Sequence, residues 1–316
     1  MNNIIIRVLL LIIFVSEIAH AQLSWRLQAL PRDGELGRVT FGAGVFIATT
    51  GAYESDGDFL AVSSDGSSWQ LIPVAEGADS VASSGTNFLR GTSGWPEKLM
   101  SSSNGIVWNP ITLPTEASNI NLADVHFSSG RYFLMAEKYD EEQPYSPEIM
   151  ILFAPANLTS WSIQNTNLPD FPECLAYGAN QFIASVREDT DIWIYSSTDG
   201  ASWTKRTNLG TSQPRKIRFL NNRFIAVGTD GSIWVSTDGH TWSKKISPSS
   251  ISLVDVAFGK GIYVALAQAG HILVSSDANT WKLSPFGGLW SKLFSVAFGG
   301  NRFLITGPKQ AVLRSN

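Results

Sequence analysis

The chain is short of the groups that most often give a function away. Its 316 residues include one cysteine, Cys174, four histidines and four methionines. One cysteine excludes an internal disulfide, so the core must carry the stability, and a buried structural thiol is the expected state of Cys174. His20 falls in the N-terminal leader, and His126, His240 and His271 occupy unrelated positions, which argues against a histidine-built metal cluster. Charged residues make up only 16 %, with a net charge of −4 and a pI near 5.6. That balance argues against a nucleic-acid partner, whose phosphates demand a basic face, and leaves no basic docking surface in the average. Long apolar runs are missing as well. The strongly apolar stretch 8–15 is shorter than the roughly 20 residues that a membrane span requires. With Arg7 ahead of it and Ala19-His20-Ala21 behind, it reads as an export signal cleaved after Ala21. The expected product is a secreted or periplasmic chain, 22–316, forming one domain and acting as a monomer with no membrane span.

What the sequence does have is a repeat. Apolar residues are 44 % of the chain and aromatic residues 11 %, with 27 glycines and 11 tryptophans. A seven-residue box, Ser-Ser/Thr-Asp-Gly-x-Ser/Thr-Trp, stands intact at 63–69, 197–203 and 236–242, with weaker copies at 102–108 and 275–281. Each box ends a unit whose opening strand carries an aromatic residue and glycine, as in Val39-Thr40-Phe41-Gly42, Val256-Ala257-Phe258-Gly259 and Val296-Ala297-Phe298-Gly299. Seven such openings can be aligned. Within a unit, apolar and polar residues alternate over four short runs bounded by Gly, Asn, Asp and Pro, which are strand signals. Four short strands per unit make a propeller blade, so the fold expected is an all-β, seven-bladed β-propeller.

Trp69, Trp108, Trp161, Trp203, Trp242 and Trp281 are 39, 53, 42, 39 and 39 residues apart. The chain runs 35 residues past Trp281, and Leu23-Ser24-Trp25-Arg26-Leu27 supplies the missing box tail and fourth strand. The last blade is therefore expected to take three strands from the C-terminal end and one from the N-terminal end, which removes an exposed sheet edge.

These boxes resemble the Asp-box (BNR) repeats of sialidase-like propellers, and the Phe-Gly openings resemble photosystem II assembly-factor-like exported bacterial propellers. The resemblance covers nearly all of 22–316. The boxes are one residue tighter than the sialidase form, and the early Arg-Ile-Pro of sialidases is missing, since Pro31-Arg32-Asp33 does not replace it. Membership of that enzyme family is therefore not implied. The box itself reads as structural, because Ser and Asp can bond nearby backbone N–H groups, Gly accepts positive φ and Trp covers the turn.

Candidate site residues lie on the opposite face. The distance from the opening aromatic position to the box Trp is 23 residues in the fifth and sixth units but 28, 25, 34 and 26 in the first four. The surplus falls in the second-to-third strand connections 49–59, 91–98, 137–148 and 187–191, which hold 12 of the 27 acidic residues. Tyr53, Trp95, Glu97, Tyr139, Asp140 and Tyr145 there, with Trp290 in a blade-to-blade connection, suit a glycan or a protein partner. Arg187, Arg215 and Lys216 suit a carboxylate or sulfate. Just ahead of the opening strands, Asp124 and Asp255 form the alternative, an acid/base pair for a polysaccharide hydrolase or lyase. No cofactor is expected. Calcium held by Asp56 and Asp58, or by Asp140 to Glu142, is the alternative there. Asn157-Leu158-Thr159 is a glycosylation sequon of consequence in a eukaryotic secretory pathway.

Overall fold

The computed structural model describes residues 23–29, 36–50, 58–77, 80–92, 97–117, 120–140, 143–284, 292–308 and 311–316. The alternating runs form seven antiparallel sheets around a common axis, a seven-bladed β-propeller with no α-helix among the described residues. The first blade shows the plan. Leu36–Gly42 lies innermost, followed outward by Val45–Thr50, Phe59–Ser63 and Gln70–Pro73. The last blade is composite, as its sequence requires. Ser295–Gly299, Arg302–Thr306 and Ala311–Ser315 are completed by Trp25–Ala29, with Trp25 opposite Ser315 and Ala29 opposite Ala311.

The core sits between blades. In the strand Val45–Thr50, Phe46 and Ala48 pack with Ala297, Leu304 and Val312 of the last blade. Ile47, between them in sequence, packs with Val81 and Phe88 of the second blade. The two-residue period thus sends alternate side chains to opposite neighbours. The Phe-Gly opening has a packing reason of its own. A Cβ on Gly178, Gly259 or Gly299 would stand only 2.0, 2.2 or 1.9 Å from the ring of Phe219, Phe298 or Phe41 on the next blade. Each aromatic therefore lies on the glycine of the blade before it.

The box closes the outer hairpin by local bonds. Ser63 Oγ donates to Asp65 Oδ1 and accepts the Gly66 N–H at 2.8 Å, while the same carboxylate oxygen accepts the N–H groups of Ser67 and Ser68 at 2.7 and 2.8 Å. Gly66 takes φ +69°, a conformation that favours glycine. Trp203 and Trp242 donate Nε1–H back to the box glycine carbonyls at 2.8 and 3.0 Å. In the second blade Asn104 does the work of the Asp, accepting from Ile106 and Val107 at 2.9 and 3.0 Å.

Two parts of the expected loop surplus turn out to be strand. Residues 137–140 and 143–148 extend the hairpin of Arg131–Asp140 and Gln143–Pro155, and 187–191 form a tight turn between Gln181–Glu188 and Asp191–Ser197, with Asp189 at φ +54°. The surplus there lengthens paired backbone instead of leaving it unpaired on the surface. Residues 51–57 and 93–96 lie outside the described residues.

Candidate functional site at the channel mouth

Strands enter the axis at one face, here called upper, where the second-to-third and blade-to-blade connections gather. At their upper ends the innermost strands are irregular. Their register shifts between Leu36 and Val39, between Pro214 and Lys216, and between Leu253 and Asp255. In the third blade the strand is broken outright into Ile120–Leu122 and His126–Ser128, both paired to Arg131–Asp140. Such bulges re-aim a side chain out of the ladder. Here they fall at or beside Arg38, Asp124, Lys216 and Asp255.

Three of these converge across the channel from the first, third and fifth blades. Asp124 Oδ2 accepts from Lys216 Nζ at 2.6 Å and from the Arg38 guanidinium at 3.0 Å, with His126 Nε2 at 3.8 Å. The Lys216 side chain is 8 % exposed and that of Asp124 21 %. Burial alone would raise the Asp124 carboxyl, but Arg38 and Lys216 outweigh it and hold the group well below the usual carboxylate range. Burial and repulsion from Arg38 also bring the Lys216 ammonium below its ordinary value. His126, stacked on Phe133 at 5.3 Å, is pushed down to about 3, because burial and the nearby cations Lys216, Arg38 and Arg218 overcome the attraction of Asp124. It is a neutral imidazole, so its approach to Asp124 is not an ion pair.

This cluster divides the axial space. Below it lies a channel cavity of about 140 Å³, reaching Ser128 and Leu220 between Phe127, Tyr177 and Phe219. Above it are two mouth cavities that share Arg38 and Asp124. One, of about 90 Å³, is walled by Met135, Phe171, Pro172 and Glu173 and carries Arg215 and Lys216. The other, of about 120 Å³, is bordered by Glu97 and Thr92.

Asp255 does not join Asp124 in the channel. It is 2 % exposed and lies between blades, where Arg218 donates to it twice, at 2.9 and 3.0 Å. It also accepts from Ser295 Oγ at 2.8 Å and from the N–H groups of Val256 and Val296 at 2.8 and 3.0 Å. Burial opposes its ionisation, yet Arg218, Lys216 and the Val296 N–H keep the carboxyl below its ordinary value. Neither carboxylate is thus held as a proton donor at neutral pH, which an acid of a glycosidase must be.

Of the other sequence candidates, Lys216, Arg215 and Glu97 all border the mouth. Glu97 also accepts the Leu122 N–H. Arg187 pairs at 3.3 Å with Glu173, which lines the mouth and also receives Gln213 Nε2 at 2.7 Å. Tyr53, Trp95 and Trp290, with Asp56, Glu141 and Glu142, lie outside the described residues, as do the side chains of Tyr139, Asp140 and Tyr145, while half-buried Asp58 accepts the Val74 N–H at 3.0 Å through its backbone carbonyl. Cys174 is buried against Pro214 O at 3.5 Å, and burial pushes its thiol up to about 11. Sequence reasoning missed His126 and Arg218. Arg218 lies two residues beyond Lys216 in one continuous strand, whose period of two puts it on the same face, whereas the break between Ile120–Leu122 and His126–Ser128 removes that signal for His126.

Comparisons with known proteins support the fold. A family model described as DUF6242 beta propeller domain matches residues 156–294, less than half of the chain. No curated protein sequence matches it. Among solved structures, YCF48 bound to D1 peptide superposes with a TM-score of 0.68 at 16 % identity, over 92 % of this chain and 94 % of that one. YCF48 from Cyanidioschyzon merolae gives 0.67 at 15 %, over 93 % and 98 %. A streptogramin B lyase gives 0.71 at 13 %, again over 93 % and 98 %. At these identities the likeness is one of fold.

Proposed function

We propose that this chain, exported by its first 21 residues and built on Asp-box-like turns, is a monomeric binding module that takes a polypeptide partner on the upper face. The observation that carries this reading is the composition of the mouth. Exposed Arg215 and buried Lys216 stand beside Arg38 above an apolar wall of Met135 and Phe171. The described parts of the connections around them carry the carboxylates Glu137, Glu148, Glu188, Asp189 and Asp191. A cationic centre within an acidic surround suits a segment that presents a carboxylate to Arg215 and basic residues to its surroundings. It suits a neutral sugar less, and a sulfated one least, because the acidic surround repels sulfate. The ion-paired state of Asp124 and the backbone-bonded state of Asp255 favour binding over hydrolysis. That a protein of the same fold, YCF48, is seen with a D1 peptide supports the choice of a polypeptide.

Screening the purified protein against a peptide display library and a glycan array tests this. Carboxylate-bearing peptides should be captured and should lose about ten-fold in affinity on Arg215→Ala. Capture of glycans without peptides, or peptide binding indifferent to Arg215, refutes it.

A further inference from the structure

The net charge of −4 hides a segregation that appears only when the strands are placed. The outermost strands of the first three blades, Gln70–Pro73, Asn109–Pro110 and Ser162–Asn165, carry no charge at all. Those of the remaining four, Thr204–Asn208, Ser243–Lys245, Lys282–Leu283 and Trp25–Ala29, carry six cations and no acid. They are Lys205, Arg206, Lys244, Lys245, Lys282 and Arg26. Glu188 pairs with Lys205 at 2.7 Å, while among the described residues none of the other five meets a carboxylate. The carboxylates at the lower edge of this rim, Asp199, Asp238 and Asp277, each accept two backbone N–H groups of their own turns.

Apolar side chains stand among these cations. Ile246, just beyond Lys245, is 89 % exposed, Leu283 beside Lys282 is 47 %, and Leu27 beside Arg26 is 49 %. Half-buried Trp234 lies 5.5 Å under Lys244, and half-buried Trp193 lies 3.9 Å under Lys205. The exposed aliphatics stand one to a blade and do not gather into one apolar patch, as the buried centre of a protein interface would require. Single aliphatic side chains between unpaired cations, with indoles behind them, are what an anionic bilayer surface takes up. Phosphates meet the ammonium and guanidinium groups, and the aliphatics enter the headgroup boundary.

From this placement we infer that the outer rim of the fifth to seventh blades, with the fourth flanking it, docks the protein on an anionic lipid surface. A flat membrane touches a convex rim along a few neighbouring blades, and the fifth and sixth hold the densest set, Lys244, Lys245, Ile246, Lys282 and Leu283. The upper mouth then faces sideways along the bilayer, open to a partner at the same surface.

Cosedimentation of the purified protein with vesicles rich in phosphatidylglycerol, and with vesicles of phosphatidylcholine alone, reads this directly. Binding is expected to the first and not the second, and to weaken as salt is raised. Lys244→Glu or Lys282→Glu should each weaken it by at least about five-fold, and Ile246→Ser by about ten-fold. An environment-sensitive dye on Ile246→Cys should shift to the blue on adding the anionic vesicles. The same dye on Val107→Cys, an exposed apolar site on the second blade where the outermost strand carries no cation, should not. Equal response at both sites overturns the assignment. So does vesicle binding unchanged by these substitutions, or binding of an acidic polypeptide with none to vesicles.

Discussion

His126 offers a test of the channel that does not depend on knowing any ligand. Its imidazole is 17 % exposed and faces Asp124, Lys216, Arg38 and Arg218, with the Phe133 ring against it. In the unfolded chain it titrates at its ordinary value of 6.5, whereas in the fold burial and the surrounding cations lower it to about 3. Between those values the unfolded chain binds a proton that the folded chain does not. Stability therefore falls as pH drops through this window. The full difference of 3.5 pH units corresponds to about 5 kcal/mol, and going from about pH 7.5 to about pH 5 removes about 2 kcal/mol of it. Asp124 titrates at lower pH and adds little there. The experiment is urea unfolding of the wild type and His126→Gln, followed by tryptophan fluorescence at both pH values. The variant should be less stable at neutral pH, since it loses the stack on Phe133, yet lose about 2 kcal/mol less than the wild type on acidification. Equal losses in the two proteins would refute the reasoning, for His126 would then be charged in the fold or open to water.

Three further outcomes follow from the packing. Gly259→Ala places a Cβ 2.2 Å from the Phe298 ring, so it should cost about 3 kcal/mol in thermal or urea unfolding. Combined with Phe298→Ala the two losses should sum to less than their separate values. Asp65→Ala removes three hydrogen bonds from its turn and should cost about 1 to 2 kcal/mol, whereas Asp65→Asn should be nearly neutral because Asn104 fills the same role in the second blade. Lys216→Met leaves Asp124 with Arg38 as its remaining cation and should cost about 3 kcal/mol, part of which Asp124→Leu should restore in the double variant. Matching unfolding curves for Lys216→Met and the wild type would mean that the cross-channel pair contributes no stability.

Much of the fold was legible because its determinants are local. The bonds of Ser63 and Asp65 span two or three residues, and the alternation of Phe46, Ile47 and Ala48 assigns their faces one residue at a time. The pairing of Trp25 with Ser315 was legible for another reason, since the repeat length left one strand to be supplied. The site was legible only in part. The position ahead of the opening strands points to Asp124, and Lys216 stands among the basic candidates, but Asp255 occupies the same alignment position as Asp124 and turns between blades instead. That choice is set by its neighbours Arg218 and Ser295, which no single repeat contains. The basic rim was hidden for a similar reason. Composition adds Lys205, Lys244 and Lys282 to the acids of 137–148, whereas the ring holds them on different blades.

The closing strand also bears on how the molecule comes to be folded. Trp25–Ala29 finds its partner strand, Ala311–Ser315, across almost the whole chain, and joining ends that far apart costs about 5 kcal/mol of loop entropy. During synthesis the first six blades can form in order while the N-terminal strand waits, and the last blade shuts only when the final residues are free. Until then Ala311–Ser315 is an open sheet edge that any copy of Trp25–Ala29 can fill. At high dilution it is filled by the chain's own N-terminal strand. In concentrated refolding a neighbour's strand competes for it, and domain-swapped chains become the characteristic error of this ring.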